Sequence, residues 1–491
     1  MLSVILIWLY IGITTYTLGY GALKLLTSIS FMCDYKGSKP TPYKIRYQEN
    51  YIVAGLIITT VYAQVFSLFS GVGLIANVIL VLICLSVIFV FREELFLRIR
   101  SLFRVLNSTH SMYLYVLVFL LMAFGTSEGL MHYDTGLYHA QAIHWIEDYG
   151  VVKGLGNLHV RLAYNSSAFP LTALYSFSFL GQSFHVTAGF FALLLAWQCI
   201  DLKDIARRKH PVVPDFARLL AIYYLFNIFD EMVSPASDYY VTCLIFYIII
   251  HWLDLNVSKE ESFVPYAFLS MAIVYAITLK LSAVPFIIMM IKPISMLRVR
   301  DKSIIKKMEK KERQKNAAGK NRFQKTEKFT LPKKRSLKAF FLCFIICIMI
   351  AVPFVIRNAI ISGWLIYPFT GLDLLNVSWK IPKGVAEYDA REIAVYGRGY
   401  TDVTQYDIPI SQWLPGWISG LGLFNKVMLI GDIISFVIFV IWGTTLAILN
   451  KISSGKKDKS KLMVQNNIFK LSRTRRLGMV DFMLVEFTCF A

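Results

Sequence analysis

Residues 111–130 read SMYLYVLVFLLMAFGTSEGL, and residues 131–141 continue as MHYDTGLYHAQ. The first stretch carries one charge, Glu128, across about 20 residues, the length at which a helix crosses the hydrocarbon core of a bilayer. The second sets a carboxylate, Asp134, among tyrosines, His132, His139 and Gln141. Ionisable groups at the end of a spanning helix either sit in water or serve a cavity. The pair of stretches therefore predicts a membrane-embedded helical protein whose chemistry gathers at the helix ends.

Composition carries the same reading to the whole chain. Of 491 residues, 56% are apolar and 17% charged, and the mean hydropathy is +0.55, which excludes an ordinary soluble domain. The net charge of +20 is concentrated between apolar segments, above all in Lys302–Lys338 and Lys451–Arg476. That placement marks cytoplasmic anchoring and contact with anionic lipid, not nucleic-acid binding. The seven cysteines lie mostly inside apolar runs without a C-x-x-C pair, so neither a disulfide framework nor a zinc site is indicated. No short apolar segment with a small-residue cleavage site precedes the first span, so residues 1–22 read as a retained helix.

Apolar length places spans near 1–22, 51–70, 72–91, 111–130, 183–200, 217–233, 237–254, 264–281, 283–297, 339–361 and 428–449. The expected fold is thus an all-α polytopic membrane protein of about eleven transmembrane helices. Residues 168–182, short and bounded by Pro170 and Gly181, fit a juxtamembrane or re-entrant helix. Arg92, Arg98, Arg100 and Arg104 follow the third span, and Lys203, Arg207, Arg208 and Lys209 follow the fifth. With the N-terminus outside, every basic stretch falls inside. The chain then divides into N-terminal helices (1–110), a core with outer loop 131–182 (111–297), a basic cytoplasmic loop (298–338), closing helices with outer loop 362–427 (339–449) and a basic tail (450–491). The two outer loops are too long to be turns, and their Trp and Tyr residues suit interfacial helices. Only about fifteen residues follow Arg476, too few for a span, so the end reads as truncated or frame-shifted.

This topology sends several polar groups to one face. Asp134, with Tyr138 and His139 four and five residues on, is the candidate catalytic group. If the segment is helical these side chains overlap on one face. Asp134 can then accept a proton from a hydroxyl nucleophile, or hold a divalent metal with help from His139. The plainer alternative is a solvated helix end. Arg161, near His159 and Asn165, suits a bidentate phosphate contact or a lipid headgroup. Asp230 and Asp238 can orient sugar hydroxyls, or cap a helix. Lys280 can meet a phosphate, or snorkel. Arg357-Asn358 ends a long apolar helix on the side where basic residues are sparse, which points to a bound anion. His132, His139, His144 and His159 lack zinc-site spacing.

A multi-pass chain with an acidic residue opening its first large outer loop, and a later Pro353-x-x-x-Arg357-Asn358…Ser362-Gly363-x-x-x-Tyr367-Pro368 stretch, resembles the GT-C superfamily of membrane glycosyltransferases. It is most similar to uncharacterised bacterial multi-pass proteins linked to surface polysaccharide. The resemblance covers about 111–380. It implies transfer of a sugar from a polyprenyl-phosphate donor to a glycan or lipid-linked acceptor on the outer face of a bacterial cytoplasmic membrane. Asp134 would take the place of the loop carboxylate, and Arg357 would contact the lipid-linked phosphate. Three spans precede the acidic loop's helix where the superfamily commonly has none, and no second acid adjoins Asp134. A polysaccharide polymerase or ligase, and a lipid-linked glycan transporter, are the alternatives.

Overall fold

The computed structural model describes residues 1–36, 39–108, 112–297 and 335–454. The basic runs at 302–334 and 455–476, Cys489 and the C-terminal end fall outside the described residues. Four long helices open the chain: α1 (Leu2–Ser28), α2 (Glu49–Ser67), α3 (Leu74–Ser108) and α4 (Met112–Glu128). The first long connecting segment holds α5 (Ala140–Tyr149) and α6 (Ala168–Tyr175). Then come α7 (Thr187–Cys199), α8 (Val213–Asn227), α9 (Ser237–Val257) and α10 (Phe263–Leu279). After α11 (Arg335–Ser362), the second long connecting segment carries α12 (Lys383–Gly397) and α13 (Ile410–Gly420) before α14 (Leu423–Ser454).

The protein is all-α among the described residues except for one feature. A small antiparallel hairpin, β1 (Asp34–Lys36) with β2 (Lys39–Thr41), pairs Asp34 with Thr41 between α1 and α2. Of the described helices, α1, α2, α3, α9 and α11 are long and apolar enough to cross a membrane. Three expected spans take other forms. Residues 183–200 supply only the 13-residue α7, because 183–186 lie outside the helix. Residues 217–233 stop being helical at Asn227 and turn. Residues 283–297 begin as a 3₁₀ run over Leu281–Met290. Pro285 lies inside that run and removes a backbone donor, and Lys280 is extended (φ −153°, ψ 132°), which breaks the chain away from α10.

Polar contacts segregate to two ends of the bundle. At one end, Val151 N–H donates to the Ser67 carbonyl (2.7 Å), Val72 N–H to Ile146 (2.9 Å) and Ser167 N–H to Thr278 (2.9 Å), while His132 N–H meets Ser234 Oγ (2.6 Å). At the other, Arg98 donates to the Ile45 carbonyl (2.8 Å), Arg46 meets Glu260 (2.8 Å), and Arg218 lies 2.6 Å from Asp254 and 3.4 Å from both Asp201 and Asp215.

Between the ends, the apolar core is crossed by hydroxyl and amide bridges. Thr14 meets Tyr175 (2.9 Å), Thr60 meets Tyr275 (2.9 Å), Thr172 meets Tyr240 (2.7 Å), and Tyr247 donates to Asn50. Helix α6 runs through this core with every residue buried. Helices α1 and α2 cross at backbone contact. A Cβ on Gly19 would lie 1.8 Å from the Tyr51 carbonyl oxygen, and one on Gly55 1.8 Å from that of Thr15. Glycine is what lets the two backbones meet.

Candidate functional site

The expected site residues come together at the end of the bundle where α2, α4, α10 and α11 finish. Asp134 caps a single π-helical turn, Thr135–His139, closed by Ala140 N–H donating to the Thr135 carbonyl. The wider turn stacks Tyr138 on His139, with ring centroids 4.3 Å apart. The Asp134 carboxylate is half-buried and receives no hydrogen bond among the described residues. Its backbone N–H donates to His132 Nδ1 (3.2 Å). Burial, followed by the Asp134 charge, pushes the Tyr138 phenol above its ordinary range.

His139 is 3% exposed and its Nδ1 has no partner among the described residues. Burial lowers its pKa to about 4, against the opposing pull of Asp134. The folded imidazole is therefore neutral at physiological pH. Below about pH 6.5 the unfolded chain binds a proton that the folded site refuses until about pH 4, so stability falls as pH drops through that window and is level above it. The sequence reading left this sign open. Thermal unfolding from neutral pH down to about 4.5 is expected to show a slope that His139→Gln flattens. Identical slopes in the two proteins would sink the assignment.

Arg161 sits in a 3₁₀ turn, Val160–Ala163, with its guanidinium 6.0 Å from the Tyr138 ring and 3.9 Å from Glu392. His159 is exposed, and its Nδ1 accepts from Arg161 N–H (3.2 Å), so it caps that turn. Lys280 pairs with Asp238, both near the surface, so the cation expected to meet phosphate already has an anion beside it. Asp238 lies in the first turn of α9 and makes no side-chain cap. The exposed Asp230 joins the cluster through its carbonyl, which accepts from Leu130 N–H.

Arg357 differs from the expected outward-facing cation. It is 1% exposed, donates from Nε to Asn165 Oδ1 (3.3 Å) and from Nη1 to Ser67 Oγ, and has no carboxylate partner among the described residues. Asn165 donates in turn to the Phe354 carbonyl (2.9 Å). Asn358, also 1% exposed, leaves its Nδ2 without a partner. The Pro353-to-Pro368 stretch thus buries a positive charge beside Asn165 and Ser67.

One acid of this site is absent from the sequence reading. Asp389, on α12, is 2% exposed and accepts at Oδ1 from the Tyr164 hydroxyl (2.7 Å). The Tyr367 hydroxyl lies beside the same carboxylate and shares it with Tyr164. Tyr164 lies 6.0 Å from both Tyr138 and Tyr367 by ring centroid. Burial, then the Asp389 charge, pushes both Tyr164 and Tyr367 upward. Asp134 and His139 are neighbours as a divalent site would need, but no third carboxylate, imidazole or thiol joins them among the described residues.

A family model described as a domain of unknown function, DUF8201, matches residues 1–308 and 328–467. The chain belongs to the DUF8201 family. No curated protein and no solved structure matches it. The DUF8201 match takes in both outer segments and every site residue named above. The first three helices also lie within it, so their packing into the core is part of the DUF8201 domain and not an appendage to it.

Proposed function

We propose that this protein is a membrane glycosyltransferase that moves a sugar from a polyprenyl-phosphate donor to a glycan or lipid-linked acceptor. It does so on the outer face of a bacterial cytoplasmic membrane, as a multi-pass bundle of about eleven spans. The observation that carries the reading is the Asp134 carboxylate, half-buried and free of hydrogen bonds among the described residues, beside Tyr138, His139 and Arg161 at a helix-end cluster. A base so placed can take a proton from a hydroxyl.

In this reading the acceptor hydroxyl gives its proton to Asp134 as its oxygen bonds to the anomeric carbon. The bond from that carbon to the donor phosphate oxygen breaks, and the phosphate leaves with the electron pair. Arg161 stabilises the departing charge directly. Arg357, held by Asn165 and Ser67, contributes a buried positive charge. The basic cytoplasmic stretches rest against anionic lipid. The resemblance to GT-C enzymes supports the donor class, and the gathering of polar groups at helix ends favours transfer at the membrane surface over transport through it.

The direct test incubates membranes containing or lacking the protein with a radiolabelled polyprenyl-phosphate hexose and isolated surface glycan. Label is expected to reach the glycan only when the protein is present. No transfer from any such donor, together with unaltered surface glycan in cells lacking the gene, would remove the proposal.

A further inference from the structure

We infer that Arg357 holds a small monovalent anion, of the size and charge of chloride, inside the bundle, with its Nη2 and the Gln64 amide as donors. The inference goes beyond sugar transfer, because it concerns what balances this charge in the resting protein. Arg357 is 1% exposed, and no carboxylate pairs with it among the described residues. The acids of this end are engaged elsewhere: Asp238 by Lys280, Glu392 by Arg161 and Asp389 by Tyr164. A guanidinium stays charged in a protein, and every one of its nitrogens donates. Nε and Nη1 are used, on Asn165 and Ser67. Nη2 makes no hydrogen bond among the described residues, yet it is not one of the fully enclosed atoms, so a space that water could enter adjoins it.

Gln64 supplies a second, independent observation. It is fully buried, and neither Nε2 nor Oε1 has a partner among the described residues. Thr60, Gln64 and Ser67 form one stripe of α2 at i, i+4 and i+7. Thr60 meets Tyr275 of α10 (2.9 Å) and Ser67 accepts from Arg357 of α11, so the stripe that carries Gln64 faces those two helices. A buried amide and a buried guanidinium without acceptors call for the same group, an acceptor that brings negative charge. Water would fill the hydrogen bonds and leave the charge unbalanced, and the unpaired buried charge is the larger cost. One guanidinium among neutral amides balances one negative charge, so a phosphate dianion would overshoot. A carboxylate would bring an organic body to a group that is 1% exposed. A halide meets both limits. In the sugar-transfer reading this ion balances Arg357 while no donor phosphate is near.

The test uses the full chain in lipid nanodiscs and follows thermal unfolding by tryptophan fluorescence in sodium gluconate, chloride, bromide or phosphate at equal ionic strength. Salts also act on stability through the protein surface, but that effect is common to all variants. The wild type is expected to unfold about 2 to 5 °C higher in saturating chloride or bromide than in gluconate. Arg357→Gln should lose that gain. Because this variant also gives up the bonds to Asn165 and Ser67 and can fail to fold, Gln64→Met is the second arm. It removes no side-chain hydrogen bond made within the protein, so its unfolding temperature in gluconate should match the wild type. Half of its chloride gain should require about tenfold more chloride. Equal temperatures in chloride and gluconate for the wild type overturn the inference. So does a gain as large in Arg357→Gln, or an unchanged chloride dependence in Gln64→Met. A gain in phosphate without one in chloride overturns it as well and assigns the charge to a polyatomic anion.

Discussion

Asp134→Asn is expected to lower sugar transfer by a factor of about 10² to 10⁴, the usual loss when a positioned base is removed. The substitution is nearly isosteric, and the carboxylate it replaces receives no hydrogen bond among the described residues, so nothing that holds the π turn is lost. The turn is fixed instead by Ala140 donating to Thr135 and by the Tyr138–His139 stack. The variant should therefore fold, reach the membrane in normal amount and leave surface glycan depleted. The check is glycan per cell against tagged-protein abundance. Normal glycan at normal abundance removes Asp134 from the chemistry. If Arg161→Ala abolishes glycan while Asp134→Asn spares it, the polymerase or ligase reading takes precedence, because that chemistry leans on arginines.

The largest effect on stability is expected at the opposite end. Arg218, 2% exposed, is surrounded by Asp254, Asp201 and Asp215, and also donates from Nε to the Gln198 carbonyl (3.1 Å). Asp215 keeps a second partner in Arg208 (2.7 Å), but among the described residues Asp254 has Arg218 as its only cation. Arg218→Leu leaves that carboxylate buried without its counter-charge, a change that costs about 3–5 kcal/mol. Removing both charges, as in Arg218→Leu with Asp254→Leu, should recover most of the loss because no lone ion remains. Thermal unfolding in detergent reads both. A single variant that unfolds with the wild type would show that water reaches this network and that it does not tie α7, α8 and α9 together.

The sequence and the structure agree where a local rule was decisive. The end of the apolar run marks a helix end, and α4 stops at Glu128, just before the turn that Asp134 opens. The bias of Arg and Lys toward the cytoplasm put Arg161, Asn165, Asp230, Asp238, Lys280 and Arg357 at one end. What the sequence did not convey is burial. Asp389 stands in α12 between Glu387 and Glu392, three acids of one polar helix with nothing in their spacing to distinguish them. Only packing against Tyr164 and Tyr367, more than 220 and 20 residues earlier in the chain, makes one of them a buried acceptor. Arg357 escaped for the same reason. Its guanidinium is claimed by Ser67, 290 residues away. The 3₁₀ run over 281–290 had a visible cause in Pro285, which apolar length alone overrode. The hairpin at 34–41 was hidden by strands of three residues each.

The contact of α1 with α2 through Gly19 and Gly55 bears on how this chain can be cut. The two helices have no side-chain layer between them at that point, and beyond it their hydroxyl and amide groups serve Tyr175, Tyr247 and Tyr275 in three other helices. An excised fragment starting near residue 111 would turn those phenols toward acyl chains with no acceptor. A shortened protein lacking the first two helices is therefore not expected to fold, because the opening hairpin of helices has to be present before the rest can settle.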